Sequence, residues 1–477
     1  MKHLLYFLLL LLSLTSAKSD KKYYGEKYRP QVHFSPEKNW LFESNGLVFY
    51  RGEYHFFYQN VAINNKIVQN QLGHATSKDL IHWQHLPMAF TPDEKATDMA
   101  SCRPLAGSTV VDTLNVSGLQ QKGETPMLLF YSDSKGDQNL AFSNDKGVTW
   151  NKYGKNPVIS NPGEDAHDPK VFYHAESGKW ILALYREKGE NIKAAGISFY
   201  RSSDLIHWEY QSHLEGFGEC PDIFQVSFEA NPTEKKWVVL SGEGEYKIGT
   251  FDGLSFKPES ELQKLDYGKN FFATQTLSGL SDGKVIQIAW MRGGEFPDMP
   301  FNGQMSFPTE LSLRSTKKGT VLCRKPIAAI SSLFDRELLK KEKNLIPGIK
   351  GNLLGGLKGD AIFIKATLRP KSSDSFGIIV RNGKTSNGTD IRYDTAKKTL
   401  DANGVKMMIE PIDGRIELQI LVDRTSIEIF GNNGEQSIST CFLPTQGEEE
   451  LLLYTQGGEL FVESLEGHTL KTAWPTK

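Results

Sequence analysis

The stretch Ser77-Lys78-Asp79-Leu80-Ile81-His82-Trp83 returns downstream as Ser203-Asp204-Leu205-Ile206-His207-Trp208, and a relative of it reads Ser143-Asn144-Asp145-Lys146-Gly147-Val148-Thr149-Trp150. In each copy a strand ends, an acidic turn follows, and a tryptophan opens the next strand. The tryptophans repeat at an interval of about sixty residues, longer than a WD40 blade but suited to a four-stranded propeller blade with generous loops. Residues 28 to 325 then hold five blades. In this setting the repeated Asp and Trp are a turn and a plug between strands. His82 and His207 recur with them and read as packing residues rather than catalysts.

Short apolar runs support an all-β chain. Leu47-Val48-Phe49-Tyr50, Tyr54-His55-Phe56-Phe57-Tyr58, Met127-Leu128-Leu129-Phe130-Tyr131, Trp180-Ile181-Leu182-Ala183-Leu184-Tyr185 and Trp237-Val238-Val239-Leu240 are bounded by polar or glycine residues, the pattern of buried strands. After Lys325 the texture changes. Residues 326–345 read as a linker, with a short helix expected over Ile327 to Lys343. Residues 346–477 carry alternating runs such as Ile416-Glu417-Leu418-Gln419-Ile420-Leu421-Val422-Asp423, separated by hairpin signals such as Asn432-Asn433-Gly434. They predict a β-sandwich without a cluster of catalytic residue types, suited to packing or binding.

Residues 1–17 have a short basic start, an apolar run from Leu4 to Leu12 and small residues before Lys18, which is the pattern of a secretory signal peptide. The run is too short for a spanning helix, so the mature chain is expected to be exported to the periplasm or outside the cell, with no integral membrane segment. A formal net charge of −2 argues against a nucleic-acid partner. Cys102, Cys220, Cys323 and Cys441 are scattered without zinc-site spacing, and their pairing is open. Asn115 and Asn387 head glycosylation sequons.

Three turn-like segments carry the chemistry. They are Trp40-Leu41-Phe42-Glu43-Ser44-Asn45-Gly46, Ala166-His167-Asp168-Pro169-Lys170 and Gly218-Glu219-Cys220-Pro221-Asp222. Carboxylates this far apart in sequence, each at a strand end, suggest one acidic pocket. Glycoside hydrolysis needs such a pocket: a protonated acid, an ionised nucleophile and a further anion to hold the sugar. That chemistry calls for no cofactor, and no metal-ligand constellation stands out. Cys220 reads as a packing residue beside Glu219 rather than a nucleophile.

The chain resembles glycoside hydrolase family 32, the invertases, inulinases and levanases. The resemblance rests on Trp40, Asn45-Gly46, Tyr58-Gln59, Gly73-His74-Ala75-Thr76-Ser77-Lys78-Asp79-Leu80-Ile81-His82-Trp83, Asp266 to Thr276, Gly303 to Leu311 and Val422 to Phe430. It implies a five-bladed β-propeller followed by a β-sandwich, with the active site in the funnel at the propeller axis. It also implies a retaining β-fructosidase acting on sucrose or fructans. Glu219 would be the general acid/base, with a raised pKa. Asp168 would stabilise the transition state and Glu43 would stand at the nucleophile position. Trp40, Asn45, Gln59, His167 and Cys220 would line the sugar site.

Several positions depart from the family pattern. Phe42-Glu43-Ser44 stands for Asn-Asp-Pro, and Glu reaches one methylene further than Asp. His167 replaces an Arg, Gln71-Leu72 stands where a Trp usually precedes Gly73, Leu105-Ala106-Gly107 replaces Phe-Ser-Gly, and Thr309 replaces another Arg. Two outcomes stay open: a pocket rebuilt around Glu43 for this or a related glycoside, or a catalytically impaired carbohydrate-binding propeller. A minor third reading is a sialidase-like propeller, because Ser143 to Trp150 matches an Asp-box. Oligomeric state is not legible.

Overall fold

The computed structural model describes residues 24–64, 67–90, 107–163, 165–189, 193–347, 352–382, 388–444 and 449–475. The expected signal peptide, Cys102, Leu105, Ala106 and Asn387 lie outside the described residues. Among the described residues no helix is long and apolar enough to cross a membrane.

The apolar runs pair with their sequence neighbours into five antiparallel meanders. The first holds Asn39–Tyr50, Glu53–Asn64, Ile67–Ser77 and Trp83–Phe90. The second runs from Gly107–Val111 to Asn151–Lys152, and the third from His167–His174 to Glu209–Glu215. The fourth opens with Asp222–Ser227, and the fifth with Phe272–Thr276 before ending in Gly319–Pro326. A short strand from the fifth segment, Phe301–Asn302, crosses to the first sheet and pairs in parallel with Asn39 and Trp40. This non-sequential pairing latches the last blade to the first.

Hydrogen bonds link the first strands of all five blades into a closed circuit around the axis. Thr109 Oγ1 donates to the Asn45 carbonyl at 3.0 Å, and Ser108 Oγ to the Pro169 carbonyl at 2.8 Å. Lys170 Nζ meets Asp222 Oδ1 at 3.0 Å, and Asp222 Oδ2 accepts the Thr276 N–H at 2.6 Å. Gln275 Nε2 then donates to the Ser44 carbonyl at 3.3 Å, returning to the first blade. Gly46 is required where the first two blades meet: its φ is +152°, and a Cβ there would lie 2.5 Å from Thr109 Cβ.

The sequence repeat is the turn between the third and fourth strands of the first three blades. Asp79 accepts the Ile81 and His82 N–H groups, and Asp204 accepts those of Ile206 and His207. Trp83 Nε1 and Trp150 Nε1 donate to the Leu80 and Gly147 carbonyls, so the indoles plug their turns. The serine equivalent to Ser77 is Ser202 rather than Ser203, since Ser202 Oγ bonds Asp204 as Ser77 Oγ bonds Asp79. His82 and His207 do not pack inside. They are exposed and pair with the turn carboxylates at 2.7 Å.

The expected helical linker is mostly strand. Only Ala328–Leu333 forms a single 3-10 helix, and Phe334–Leu345 pairs with Leu460–Leu470. That strand belongs to a six-stranded sheet packed on a five-stranded one, with Ile364, Leu368, Ile378, Ile420 and Ile429 in the shared core. The sandwich grips the propeller through a buried ionic clasp. His33 meets Asp423 and Glu428, each at 2.8 Å, with all three side chains fully buried. Arg324 of the last propeller strand meets Asp266 at 2.5 Å and Glu428 at 2.9 Å. Burial disfavours the His33 cation, yet the two carboxylates prevail and raise its pKa to about 9.

Candidate active site

The axial ends of the first strands converge on a small recess lined by Glu43, Asp168, Lys170, Cys220, Gln275 and their neighbours. Glu43 is aimed inward by irregular pairing: the register of Asn39–Tyr50 against Glu53–Asn64 shifts between Leu41 and Ser44 and again before Gly46. Bulges of this kind commonly re-aim side chains beside active sites. Asp168, Cys220 and Ala273 have φ of +59°, +55° and +48°, left-handed values that are costly for non-glycine residues. The strained positions fall on three different blades around this one recess.

The charges are tightly coupled. Asp168 Oδ2 accepts the Cys220 N–H at 2.9 Å. His167 stands at the rim, its Nε2 3.2 Å from Glu219 Oε2 and 3.6 Å from Asp168 Oδ2, and its Nδ1 donates to the Asp165 carbonyl at 3.1 Å. Glu43 makes no hydrogen bond among the described residues. Enclosure in protein, then the negative charges of Asp168 and Glu219, push its pKa up to about 8. For His167, burial works against the cation, but Asp168 and Glu219 outweigh it and raise the pKa to about 9. Burial also raises Asp168. The His167 hydrogen bond lowers Glu219, opposite to the raised value expected of a lone general acid.

The structure therefore brings Glu43, Asp168, Glu219, His167 and Cys220 together. Trp40, Asn45 and Gln59, the other expected sugar contacts, are not among the recess-lining residues. Trp40 stacks beside Phe42, with ring centroids 6.4 Å apart. Asn45 and Gln59 are buried, and their side-chain amides bond to no group among the described residues. Gly107 lines the recess, whereas Thr309 is buried on the fifth blade and Leu72 in the core between the first and second.

Other residues at the site were not singled out from the sequence. Gln275 spans the recess floor, donating to the Gly107 carbonyl at 2.6 Å while accepting from Ser44 Oγ at 3.1 Å. Lys170 neutralises Asp222 beneath the carboxylates. Trp290 packs on Phe42 at 5.1 Å, and Arg292 lies 3.6 Å from the Phe272 ring centre. Lys170 and Gln275 lie in quoted motifs and Trp290 and Arg292 in none, and only convergence of the blades gives any of them a role.

The atoms of His167, Asp168 and Glu219, and those of Glu43, Asp168 and Cys220, lie within 4.8 Å of one another, as a metal's donors do. A metal there would have to displace the protons that His167 and Cys220 hold. An imidazolium has no free lone pair, and burial keeps the Cys220 thiol protonated. The described cysteines Cys220, Cys323 and Cys441 are free thiols.

A propeller whose axis carries a cluster of carboxylates has the groups that glycoside hydrolysis uses. The comparisons place it further: residues 33–326 match the glycosyl hydrolases family 32 N-terminal domain and residues 331–469 the family 32 C-terminal domain, and the chain belongs to that family. It is 37% identical to a levanase of Bacillus subtilis over 99% of this chain and 75% of that protein. It is 27% identical to an extracellular exo-inulinase of Aspergillus ficuum, over 94% of this chain and 96% of the other. The solved exo-inulinase of Aspergillus awamori superposes with a TM-score of 0.83 at 26% identity, covering 94% of this chain and all of that one. Family membership makes the Asp-box-like turn a folding element and removes the sialidase reading.

Proposed function

We propose that this chain is an exported, retaining β-fructosidase that releases fructosyl units from fructans or sucrose. Glu43 is the nucleophile, Glu219 delivers and later removes the leaving-group proton, and Asp168 steadies the positive charge that develops on the fructosyl ring. The levanase and exo-inulinase relatives supply the substrate class, and the signal-like start supports export. The observation that carries the reading is the convergence of Glu43, Asp168 and Glu219 from three blades: Glu43 and Asp168 line the recess, and Glu219 stands beside it, joined to Asp168 through His167. A propeller retained only for binding has no physical need to hold three carboxylates in such mutual repulsion.

The chemistry runs in two steps. Ionised Glu43 attacks the anomeric carbon as the glycosidic bond breaks and the leaving oxygen takes a proton from the Glu219 side. Water, deprotonated by Glu219, then releases fructose from Glu43. No step calls for a cofactor. The test is fructose release from levan, inulin and sucrose by the purified mature chain and by Glu219→Gln. Release by the native chain that falls by about 10²-fold or more in the variant supports the proposal. Equal release by both, or none from any substrate, overturns it.

A further inference from the structure

We infer that His167 is the proton store of the general acid: His167 and Glu219 hold one proton between them, and the pair, rather than Glu219 alone, delivers it to the leaving oxygen. The inference rests on the roles proposed above for Glu43 and Glu219.

The geometry is specific. The Nδ1–H of His167 is committed to the Asp165 backbone carbonyl at 3.1 Å, which fixes the ring and turns Nε2 toward Glu219 Oε2 at 3.2 Å. That is a single proton-transfer distance. The groups facing the imidazole are Asp165 and Asp168 from its own segment, Tyr185 from the neighbouring strand with ring centroids 5.0 Å apart, and Glu219 from the fourth blade. Glu43 and Arg292 add longer-range charge to the same cluster. Three carboxylates surround the ring, so the proton that a lone Glu219 would need is kept on Nε2.

This resolves a conflict in the site. His167 holds Glu219 ionised, while burial and the neighbouring carboxylates hold Glu43 protonated, the reverse of what a lone acid and nucleophile require. With the store on His167 the order becomes workable. The carboxylates around the imidazole raise His167 and so keep the acid proton on it, beside a Glu43 that must ionise to attack. In the first step the proton moves from Nε2 to Oε2 and on to the glycosidic oxygen, which receives the electron pair of the breaking C–O bond. Glu43 forms the new C–O bond. In the second step water gives its proton to Glu219 and so back to Nε2, and its hydroxyl displaces Glu43. An arginine in place of His167 could pair with Glu219 but could not release a proton.

The experiment measures kcat/KM against pH for the native chain, His167→Gln, His167→Arg and Glu219→Gln. Two substrates are used: sucrose, and an aryl β-fructoside whose phenolate leaves without protonation. His167→Gln is expected to lose about 10²-fold or more on sucrose and to retain most activity on the aryl fructoside. His167→Arg should behave likewise, and the alkaline limb near pH 9 should be absent from both. An equal loss on both substrates would make His167 a sugar contact and overturn the inference. So would a native alkaline limb in His167→Arg, because charge alone would then suffice. The reference is Glu219→Gln: if it cleaves sucrose like the native chain, the proposed function itself fails, independently of His167.

Discussion

Replacing His33 by Leu should remove the keystone of the clasp between propeller and sandwich. The magnitude follows from the titration of the buried ring. Its movement from 6.5 to about 9 corresponds to about 3 kcal/mol of folding free energy. The sign is fixed by linkage. A folded pKa above the unfolded one gives stability that is fully present below about pH 6.5 and is lost as pH rises through about 9. In the variant, Asp423 keeps the N–H groups of Gln31, Val32, residue 33 and Arg424, and Glu428 keeps Arg324 and the Phe307 N–H. The two carboxylates stay partly satisfied, so the loss should track the imidazolium rather than a general collapse. Urea unfolding followed by tryptophan fluorescence would show a gap of about 3 kcal/mol between native chain and variant near pH 6, closing toward about pH 10. Glu43 and His167 also titrate in this window, but they are common to both proteins and cancel in the difference. A gap that stays constant with pH, or one below about 1 kcal/mol at pH 6, would refute the reasoning.

Further outcomes follow from the site. The pH profile of kcat/KM on sucrose should rise near 8 as Glu43 ionises and fall near 9 as His167 loses its proton, giving a mildly alkaline optimum; a profile centred near 5 contradicts these assignments. Glu43→Asp withdraws the carboxylate by about 1 Å on a strand shaped for the longer side chain, so kcat should drop about 10²-fold with little change in thermal unfolding. Lys170→Met leaves Asp222 buried without its cation. Unfolding should be destabilised by about 3–5 kcal/mol, measured by denaturant titration, and Lys170→Met combined with Asp222→Asn should recover part of that loss.

Much of this molecule is legible in its sequence because much of it is local. The strand–turn–tryptophan repeat is a short-range hydrogen-bonded unit, and so Ser77 to Trp83 and its relatives disclose blades. The three acidic segments are visible because each sits in or just before the first strand of its blade, the first, third and fourth. What stays hidden depends on distant partners. Phe334–Leu345 is rich in Leu, Lys and Glu, good helix formers, but its partner is Leu460–Leu470 at the far end of the chain, and pairing overrides propensity. The depressed pKa of Glu219 comes from His167 on another blade. A motif reading locates both residues yet gives no distance between them. Asn45 and Gln59 lie in segments that match the family, but whether an amide faces the recess or the core depends on strand register and bulges, which spacing alone does not reveal.

The central claim is that Glu43 serves as the covalent nucleophile where the family has an aspartate. The direct measurement is mass spectrometry of the native chain after rapid acid quench during turnover of a fructan, followed by proteolysis and peptide mapping. The account predicts one fructosyl unit attached to the peptide that carries Glu43, absent in Glu43→Gln. A fructosyl unit on any other carboxylate, or turnover of Glu43→Gln at the native rate, would contradict it.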